Sequence, residues 1–496
     1  MSTRARTRSS SRQPTQRLLR VFAFDPGVRA QLDTLTISEL TLNLLWEPLT
    51  PGPVGEYIEV VDYDPASGAY YEPVNLDEPF VLAQRGLSPA EGGPQFHQQM
   101  VYAVAMNTID QFERALGRVS LWANRLIRDD EGNVRGEEFV RRLRIYPHAL
   151  REANAYYSPK KKALLFGYFP TRGGGPGQAP GGTVFTALSY DVVAHETTHA
   201  LLDGLHPSFN EPTNPDVHAL HEGFADIVAL FQRFAHPEVL QHQIARTRGN
   251  LEQQNMLGEL AKQFGAALGM RGALRDAIGG HNDKTKQWEL HEPDPKKLAA
   301  ATEPHDRGGI LLAAVFSAFL AIYKMRSADL FRIATNGSGV LREGAIHPDL
   351  VRRLAREAAN AAQSVLTMCI RGLDFCPPVD VDLGTYLRGV ITADAEVWPQ
   401  EKYAYRVAFA EAFRQWGIFP DGVRGMDESE LRYPLVDDQR ASALCALYNQ
   451  ENTKDMFRGE LALQWDLTTD REKVAETMKE NARKIRTAFS SRSIGG

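Results

Sequence analysis

A pair of histidines flanking a glutamate is the part of the sequence best suited to metal chemistry. The segment DVVAHETTHAL places His195 and His199 four residues apart, with Glu196 directly after the first histidine. On a helix this spacing brings both imidazoles to one face, one turn apart, where they can bind a single ion. Glu196 is then rotated by about 100° from His195, so it can reach a water held by the ion without binding the ion. The spacing predicts a catalytic metal site with Glu196 as the base.

A third ligand is needed, because a catalytic zinc usually takes three protein ligands and keeps a fourth position open. Glu222 supplies it from a second predicted helix at roughly residues 218–235, and Asp226 follows one turn later. The apolar residues around both acids indicate a largely buried helix, in which an acid needs a partner. Asp226 is expected to accept the other N–H of a ligating imidazole, with His195 as its partner. The alternative is that both are ordinary acids on a helix surface.

The chain resembles the thermolysin-like zinc metallopeptidases beyond the five residues of the histidine motif. That family carries DVVAHE-x-THA on its active-site helix, and residues 191–200 here read DVVAHETTHA. The family also has an Asn-Ala-aromatic-aromatic segment upstream on a sheet edge, and residues 154–157 here read NAYY, followed by a turn and LLFGY. The resemblance covers roughly residues 95–325.

The resemblance implies an α+β protein of the zincin type, in which a β-rich N-terminal lobe carries the active-site helix and the C-terminal lobe is mostly α-helical. It implies one Zn²⁺ bound by His195, His199 and Glu222, and hydrolysis of a peptide or protein substrate. By the same resemblance, Asn154 and Ala155 bind the substrate backbone as an added β-strand, since main-chain pairing holds a peptide of any sequence.

Two departures from the family concern stabilisation of the oxyanion. The family uses a tyrosine between the second histidine and the glutamate ligand, and a later histidine just after a Gly-Gly pair. No tyrosine lies between His199 and Glu222, and Leu311 stands where the later histidine would follow the glycine pair at 308–309. Both of the family's groups are therefore missing from their expected positions.

His305, just before the glycine pair, is the best remaining candidate for a catalytic oxyanion stabiliser, with a helix-capping or structural role as the alternative. Arg307 is a second candidate, because a positive group near the developing negative charge is what such a site needs. Its alternative is an ion pair with Asp306 or Glu303.

The calcium cluster of the family is altered as well. Asp191 matches one of its ligands, but Arg233 stands about two turns past Asp226, where a calcium-binding glutamate would be expected. We therefore expect no calcium at that site.

The chain divides into segments that position these residues. Residues 1–18 are polar and rich in Arg and Ser, which is typical of a disordered basic tail. Residues 19–203 form the predicted β-rich lobe that ends in the histidine helix, and residues 204–425 form the helical lobe with Glu222. Residues 426–496 are an extension of unassigned role.

Periodicity predicts the elements within these segments. Residues 20–89 alternate between short apolar runs and turn residues, which predicts a mostly antiparallel sheet region. Helical spacing predicts helices over 95–116, over 255–269 and at about 470–489. The Gly/Pro-rich run at 171–182 is predicted to be a flexible connection, with a lid over the site as the alternative.

Composition narrows the class of protein. Hydrophobic residues make up 43% and charged residues 24%, which is typical of a globular protein. The net charge of −6 gives no reason to expect a nucleic-acid partner. No run of 18 apolar residues and no signal peptide is found, so we expect no membrane span and a cytoplasmic location. Three scattered cysteines suit a reducing compartment, and nothing indicates an oligomeric state.

Three functional hypotheses follow. The first is a zinc endopeptidase in which Glu196 takes a proton from water and passes it to the leaving amine. The second is a zinc-stabilised peptide-interaction protein with weakened catalysis, motivated by the missing tyrosine. The third is a peptidase-like effector that is exported without a signal peptide, which the basic head and the residues after 425 permit.

Overall fold

The computed structural model describes residues 14–24, 38–170, 182–252, 278–281, 288–400, 402–434 and 470–490. Over this part of the chain the protein is a mixed α/β structure whose C-terminal half is mostly helical, which is compatible with the predicted α+β class. The helix predicted over 255–269, and all but the last residue of the Gly/Pro-rich run at 171–182, lie outside the described residues.

The strands lie mainly in the N-terminal half. They are β1 Gln16–Phe22, β2 Glu39–Leu45, β3 Ile58–Val60, β4 Tyr63–Asp64, β5 Ala69–Tyr70, β6 Arg125–Arg128, β7 Val134–Glu138, β8 Leu143–Leu150, β9 Ala155–Ser158, β10 Ala163–Pro170, β11 Thr183–Phe185, β12 Gly279–His281 and β13 Trp288–Leu290. The central sheet has the order β11-β10-β8-β3, and β9 also pairs with β10.

The central sheet is mixed rather than antiparallel. Strands β1 and β2 form an antiparallel pair, as do β4 and β5, which agrees with the prediction for residues 20–89. Strand β3 lies in the same region but pairs in parallel with β8, and β8 is also parallel to β10. Strand β3 is the exception in this mostly antiparallel region, because its partner comes from a distant part of the chain and turn residues indicate only where a strand ends.

The helices are α1 Pro79–Ala83, α2 Pro94–Leu116, α3 Tyr190–Leu205, α4 Pro215–Phe234, α5 Pro237–Arg246, α6 Pro295–Ala300, α7 Pro304–Ala334, α8 Pro348–Gly372, α9 Leu383–Val397, α10 Tyr405–Gln415, α11 Glu428–Leu431 and α12 Arg471–Ser490. Helix α2 confirms the prediction over 95–116, and α12 confirms the charged helix at about 470–489. Short 3₁₀ turns at Thr186–Leu188 and Pro207–Asn210 flank α3.

Helices α4 and α7 approach each other closely through two glycines. A Cβ atom built on Gly308 of α7 would lie only 2.7 Å from the carbonyl oxygen of Ala219 and from the backbone nitrogen of Gly223 in α4. No side chain other than hydrogen fits at such a distance, so the glycine is needed for this close contact. The contact brings the first turn of α7, which contains His305, next to Glu222.

The N-terminal tail is shorter than predicted. Strand β1 begins at Gln16, inside the segment 1–18 that was predicted to be disordered, and Arg17 is buried. Its guanidinium donates to the carbonyl oxygens of Leu76 at 2.7 Å and Glu47 at 2.9 Å. An arginine counted as solvated in the sequence is therefore part of the interior, because backbone carbonyls compensate its burial.

The C-terminal extension returns to the N-terminal lobe. Arg471, the first residue of α12, is buried and donates to the carbonyl oxygens of Ser120 at 2.8 Å and Arg141 at 2.7 Å. Its guanidinium also lies over the Tyr57 ring, 4.1 Å from the ring centroid. The extension predicted at 426–496 thus has at least one structural role, which is to attach α12 to the first lobe.

Helix α7 is long and apolar enough to cross a membrane, and in the described part of the chain no other helix meets both criteria. Of its most apolar window, 78% is buried inside the protein. Core helices have the same composition, so this helix is weak evidence for a span. The expectation of no membrane span stays a prediction.

Candidate metal centre

Helix α3 holds the two predicted histidine ligands on one face. The helix packs into the core through the apolar side chains Val192, Val193, Leu201 and Leu202. His195 Nε2 lies 2.9 Å from His199 Nε2, and the two rings are nearly perpendicular, with centroids 4.6 Å apart. The i, i+4 spacing therefore places the two nitrogen atoms next to each other, as predicted.

Helix α4 supplies the third ligand. Asn214 caps its N-terminus by accepting the N–H of Asp216, which contributes about 1 kcal/mol to such a helix. Glu222 Oε2 lies 3.4 Å from His195 Nε2 and 3.6 Å from His199 Nε2. Ligand atoms around a tetrahedral zinc lie about 3.4 Å apart. The structure therefore brings the three predicted ligands together.

The ligand atoms of His195, His199 and Glu222 all lie within 4.8 Å of one another, and within the described ranges no other group of His, Cys, Asp and Glu meets this condition. Two imidazole nitrogens and one carboxylate form a donor set that zinc prefers. This group could hold a metal ion.

Both imidazoles are oriented through their other ring nitrogen. Asp226 Oδ1 lies 2.8 Å from His195 Nδ1, which is the predicted contact. His221 Nδ1 lies 2.7 Å from His199 Nδ1, and the sequence analysis did not identify this contact. Such outer partners fix the orientation of each ring and direct its Nε2 atom toward the position of a metal. The only sequence signal for His221 was its position directly before Glu222.

Burial and the neighbouring charged groups shift the pKa values of His195 and Glu222 in opposite directions. Burial lowers the pKa of His195, but hydrogen bonds to Asp226 and Glu222 outweigh it and hold this pKa well above its usual range. Burial raises the pKa of Glu222, but the imidazoles of His199 and His195 outweigh it and hold the pKa well below its usual range. For His221, burial and the neighbouring His199 lower the pKa to about 3, so this ring is neutral.

Glu196 lies beside the three ligands, and its side chain contacts strand β9. Its Oε2 accepts the backbone N–H of Tyr157 in β9 at 2.8 Å, and the residue is 6% exposed. Burial raises the pKa of Glu196, although the imidazoles of His195 and His199 oppose this effect. A carboxylate with a raised pKa is better suited to take up and release a proton near neutral pH.

The predicted substrate-binding residues lie at the start of strand β9, with Ala155 as its first residue and Asn154 directly before it. Ala155 is buried, Asn154 is partly buried, and the Asn154 side chain accepts the Ala155 N–H at 2.9 Å. Strand β9 pairs with β10, and within the described part of the sheet it has no second strand neighbour. The strand thus lies at an edge next to Glu196, which is where peptide addition requires it.

A buried polar network attaches this edge to α3, and the sequence analysis missed it. Asp203 accepts the Tyr157 hydroxyl at 2.6 Å and pairs with the Lys162 ammonium at 2.7 Å. Tyr157 therefore contacts α3 twice, through its backbone at Glu196 and through its hydroxyl two turns later. Burial and the Asp203 carboxylate raise the pKa of Tyr157, so this hydroxyl stays protonated and donates.

His305, from the first turn of α7, also lies next to Glu222. Its Nε2 is 3.4 Å from Glu222 Oε2, its Nδ1 is 2.9 Å from Glu303 Oε1, and its side chain is 49% exposed. Burial lowers the pKa of His305, but the Glu222 and Glu303 carboxylates outweigh it and raise this pKa. The candidate from the sequence is therefore adjacent to a predicted ligand. Leu311, at the family's histidine position, is fully buried.

The contacts of Arg307 are with residues other than the predicted ligands. Its guanidinium pairs with Asp216 of α4 and donates to the carbonyl oxygens of Leu298 at 2.7 Å and Ala301 at 3.1 Å. The ion pair expected as the alternative role, with Asp306 or Glu303, is formed with Asp216 instead. These contacts assign Arg307 a structural role.

Arg233 pairs with the residue that matches a calcium ligand of the family. Its Nη1 lies 2.8 Å from Asp191 Oδ2, and both side chains are 3% exposed. Burial raises the pKa of Asp191 to about 6 against the opposing charge of Arg233. A guanidinium thus already provides a positive charge at this carboxylate, although the expected absence of calcium stays a prediction.

Comparison of the chain with protein-family models finds no match, and comparison with curated proteins finds none either.

Proposed function

We propose that this chain is a zinc-dependent endopeptidase. One observation carries the proposal, namely the convergence of His195 Nε2, His199 Nε2 and Glu222 Oε2 with Glu196 beside them. Structural zinc sites use four protein ligands, whereas three ligands next to a buried carboxylate are typical of hydrolytic zinc sites. The residues present therefore fit a catalytic zinc ion.

When bound, zinc would polarise the scissile carbonyl and make a water molecule more acidic. Glu196 takes the proton from that water and transfers it to the leaving amine, which its raised pKa favours. Asp226 and His221 keep the two ligating imidazoles in the required tautomer. Each of these roles depends on a contact of this chain's own residues.

A peptide substrate would add to the edge of the central sheet along β9. The backbone of that strand already contacts Glu196 through the Tyr157 N–H, so a peptide paired with β9 passes close to the base. The Tyr157–Asp203–Lys162 network keeps the edge strand in register with α3. Asn154 and Ala155 are proposed to contact the substrate backbone.

A zincin-type arrangement of two lobes is part of the same proposal. It is supported by a strand-rich first lobe, by the histidine helix α3 between that lobe and the helices, and by Glu222 on the following helix α4. The resemblance to thermolysin-like peptidases in residues 191–200 and 154–157 supports it independently.

A second candidate function is a zinc-binding protein that binds peptides with little hydrolysis. The engagement of Arg307 by Asp216 favours it, because this removes one of the two cationic candidates for oxyanion stabilisation. His305 is then the remaining candidate. The two functions differ in turnover and share the metal and the peptide-binding edge.

Substitution of the base tests the proposal. Glu196→Gln should keep about one zinc per chain and reduce cleavage of a peptide library by about 10²- to 10⁴-fold, since the amide cannot take up the proton. Glu211→Gln, at an exposed glutamate directly after the 3₁₀ turn that follows α3, is the control and should cleave like the wild type. Unchanged cleavage by Glu196→Gln would refute the assignment. Wild-type protein that binds zinc and cleaves no peptide would favour the second function.

A further inference from the structure

Glu222 Oε2 is shared by three imidazoles, one more than the predicted ligand set contains. The distances from this oxygen are 3.4 Å to His195 Nε2, 3.6 Å to His199 Nε2 and 3.4 Å to His305 Nε2. The third imidazole comes from α7, a helix that carries neither the histidine motif nor the glutamate. It reaches the same atom at the same distance as the predicted ligands.

All three imidazoles also have a partner at the ring nitrogen that faces away from Glu222. In each ring the other nitrogen, Nδ1, lies at hydrogen-bond distance from a neighbouring side chain. These contacts are 2.8 Å for His195 to Asp226, 2.7 Å for His199 to His221, and 2.9 Å for His305 to Glu303. An Nδ1–H donated outward leaves the Nε2 lone pair available, which is how histidine is prepared to bind a metal.

The first turn of α7 holds His305 in this position. Glu303 caps the helix by accepting the Asp306 N–H at 3.0 Å through Oε2, while its Oε1 contacts His305 Nδ1. The Gly308 contact with Gly223 brings this turn against α4 beside Glu222. His305 is therefore oriented by two independent features of the helix terminus.

His305 differs from the other two imidazoles in its freedom to move. Its side chain is 49% exposed, compared with 10% for His195 and 12% for His199. The atoms that lie within 4.8 Å of one another are those of His195, His199 and Glu222. A half-exposed ring is less restricted by neighbouring atoms than a buried one, so its side-chain rotamer can change without movement of the backbone.

We propose that His305 is a fourth, displaceable ligand, which closes the metal site while no peptide is bound and leaves it when a substrate carbonyl arrives. This inference rests on the proposed metal site. A site with four protein ligands is closed to solvent molecules and an open one is reactive. The exchange would keep the resting protein inactive without a separate inhibitory segment. The displaced ring, still held by Glu303, stays within reach of the oxyanion.

Cobalt replacement gives a readout that does not depend on turnover. Wild-type protein and His305→Ala are loaded with Co²⁺, and visible absorption, Co²⁺ affinity and binding of acetohydroxamate are measured. His347→Ala is the control, since this exposed histidine also lies at the start of a helix, α8, and far from the ligands in sequence. His305→Gln provides a second variant of more conservative size.

We expect His305→Ala to bind Co²⁺ about tenfold more weakly or worse, with a changed absorption spectrum, and to bind acetohydroxamate about tenfold more tightly. Glu303→Gln should shift both affinities in the same directions by a smaller amount. Identical spectra and affinities in wild type, His305→Ala and His305→Gln would overturn the inference and leave the proposed peptidase intact. Failure of the wild type to bind Co²⁺ or Zn²⁺ would refute the metal site itself, and both proposals with it.

Discussion

A second buried histidine cluster, between α2 and the central sheet, resembles the candidate metal site in its contacts. In this cluster, named here the sheet cluster, His97 Nδ1 lies 2.8 Å from His148 Nε2, and His148 Nδ1 lies 2.6 Å from Asp62 Oδ1. The corresponding distances at the metal site are 2.9 Å between imidazole nitrogens and 2.8 Å from imidazole to carboxylate. Both contain a pair of imidazoles in close contact, and in each pair one ring also contacts a carboxylate.

The two clusters differ in where the ring nitrogens point. In the sheet cluster each ring nitrogen faces a protein group, since His97 Nε2 also lies 2.8 Å from the carbonyl oxygen of Glu91. Both rings are almost fully buried. At the metal site the two Nε2 atoms face one another and Glu222, whose side chain is 23% exposed. Convergence of ring nitrogens on a point that solvent can reach, rather than burial or the number of histidines, distinguishes a metal site from a structural cluster.

Metal content should show the largest difference between the clusters. His199→Ala removes one of three ligands, so zinc should fall from about one ion per chain to nearly none. His148→Ala should keep its zinc but lose about 1–3 kcal/mol of stability, because Asp62 and His97 are left without their partner. Metal analysis after dialysis and urea unfolding measure the two effects. Loss of zinc from His148→Ala as well would remove the distinction.

The grouping of the candidate metal ligands was predictable because these residues follow local rules. The i, i+4 spacing of His195 and His199 is a property of one helix, and so is the spacing of Glu222 and Asp226. Helix geometry therefore predicted which side chains share a face. The resemblance to a known family then indicated that the two helices meet, and the structure does bring the three ligands together.

Contacts between distant segments were not predictable in this way. His221 faces His199 across two helices, and Arg307 reaches Asp216 on another helix rather than the acids next to it. Such contacts depend on how closely helices cross, which periodicity does not contain. The sheet cluster joins three separate elements and was missed for the same reason.

Replacing the carboxylate that contacts an imidazole Nδ1 should produce a smaller difference between the two clusters, in zinc affinity. Asp226→Asn should weaken zinc binding by about 10- to 100-fold, since the amide holds His195 less firmly in its ligating tautomer. Asp62→Asn makes the same chemical change next to His148 and serves as the matched control. Its zinc affinity, measured by chelator competition, should equal that of the wild type. Equal weakening in both variants would mean that the effect is general loosening of the fold.

The smallest expected effect is a pH dependence that belongs to the sheet cluster. Burial, and then the neighbouring His148, lower the pKa of His97 from 6.5 to about 4. Between these pH values the unfolded chain binds a proton at this residue and the folded chain does not, so stability falls as the pH is lowered. We expect His97 to contribute a loss of about 1 kcal/mol between pH 7 and pH 5.5.

Urea unfolding of zinc-free protein across this pH range measures the contribution of His97 as a difference between variants. His97→Gln should show a shallower fall in stability than the wild type, because its side chain does not titrate in either state. His347→Gln, at an exposed histidine, should retain the wild-type slope. Subtraction cancels the titration of the metal-site imidazoles, which are present in all three proteins. Equal slopes in wild type and His97→Gln would show that His97 takes up a proton as readily in the folded chain as in the unfolded one. That result would contradict the interpretation of the sheet cluster as a closed structural network.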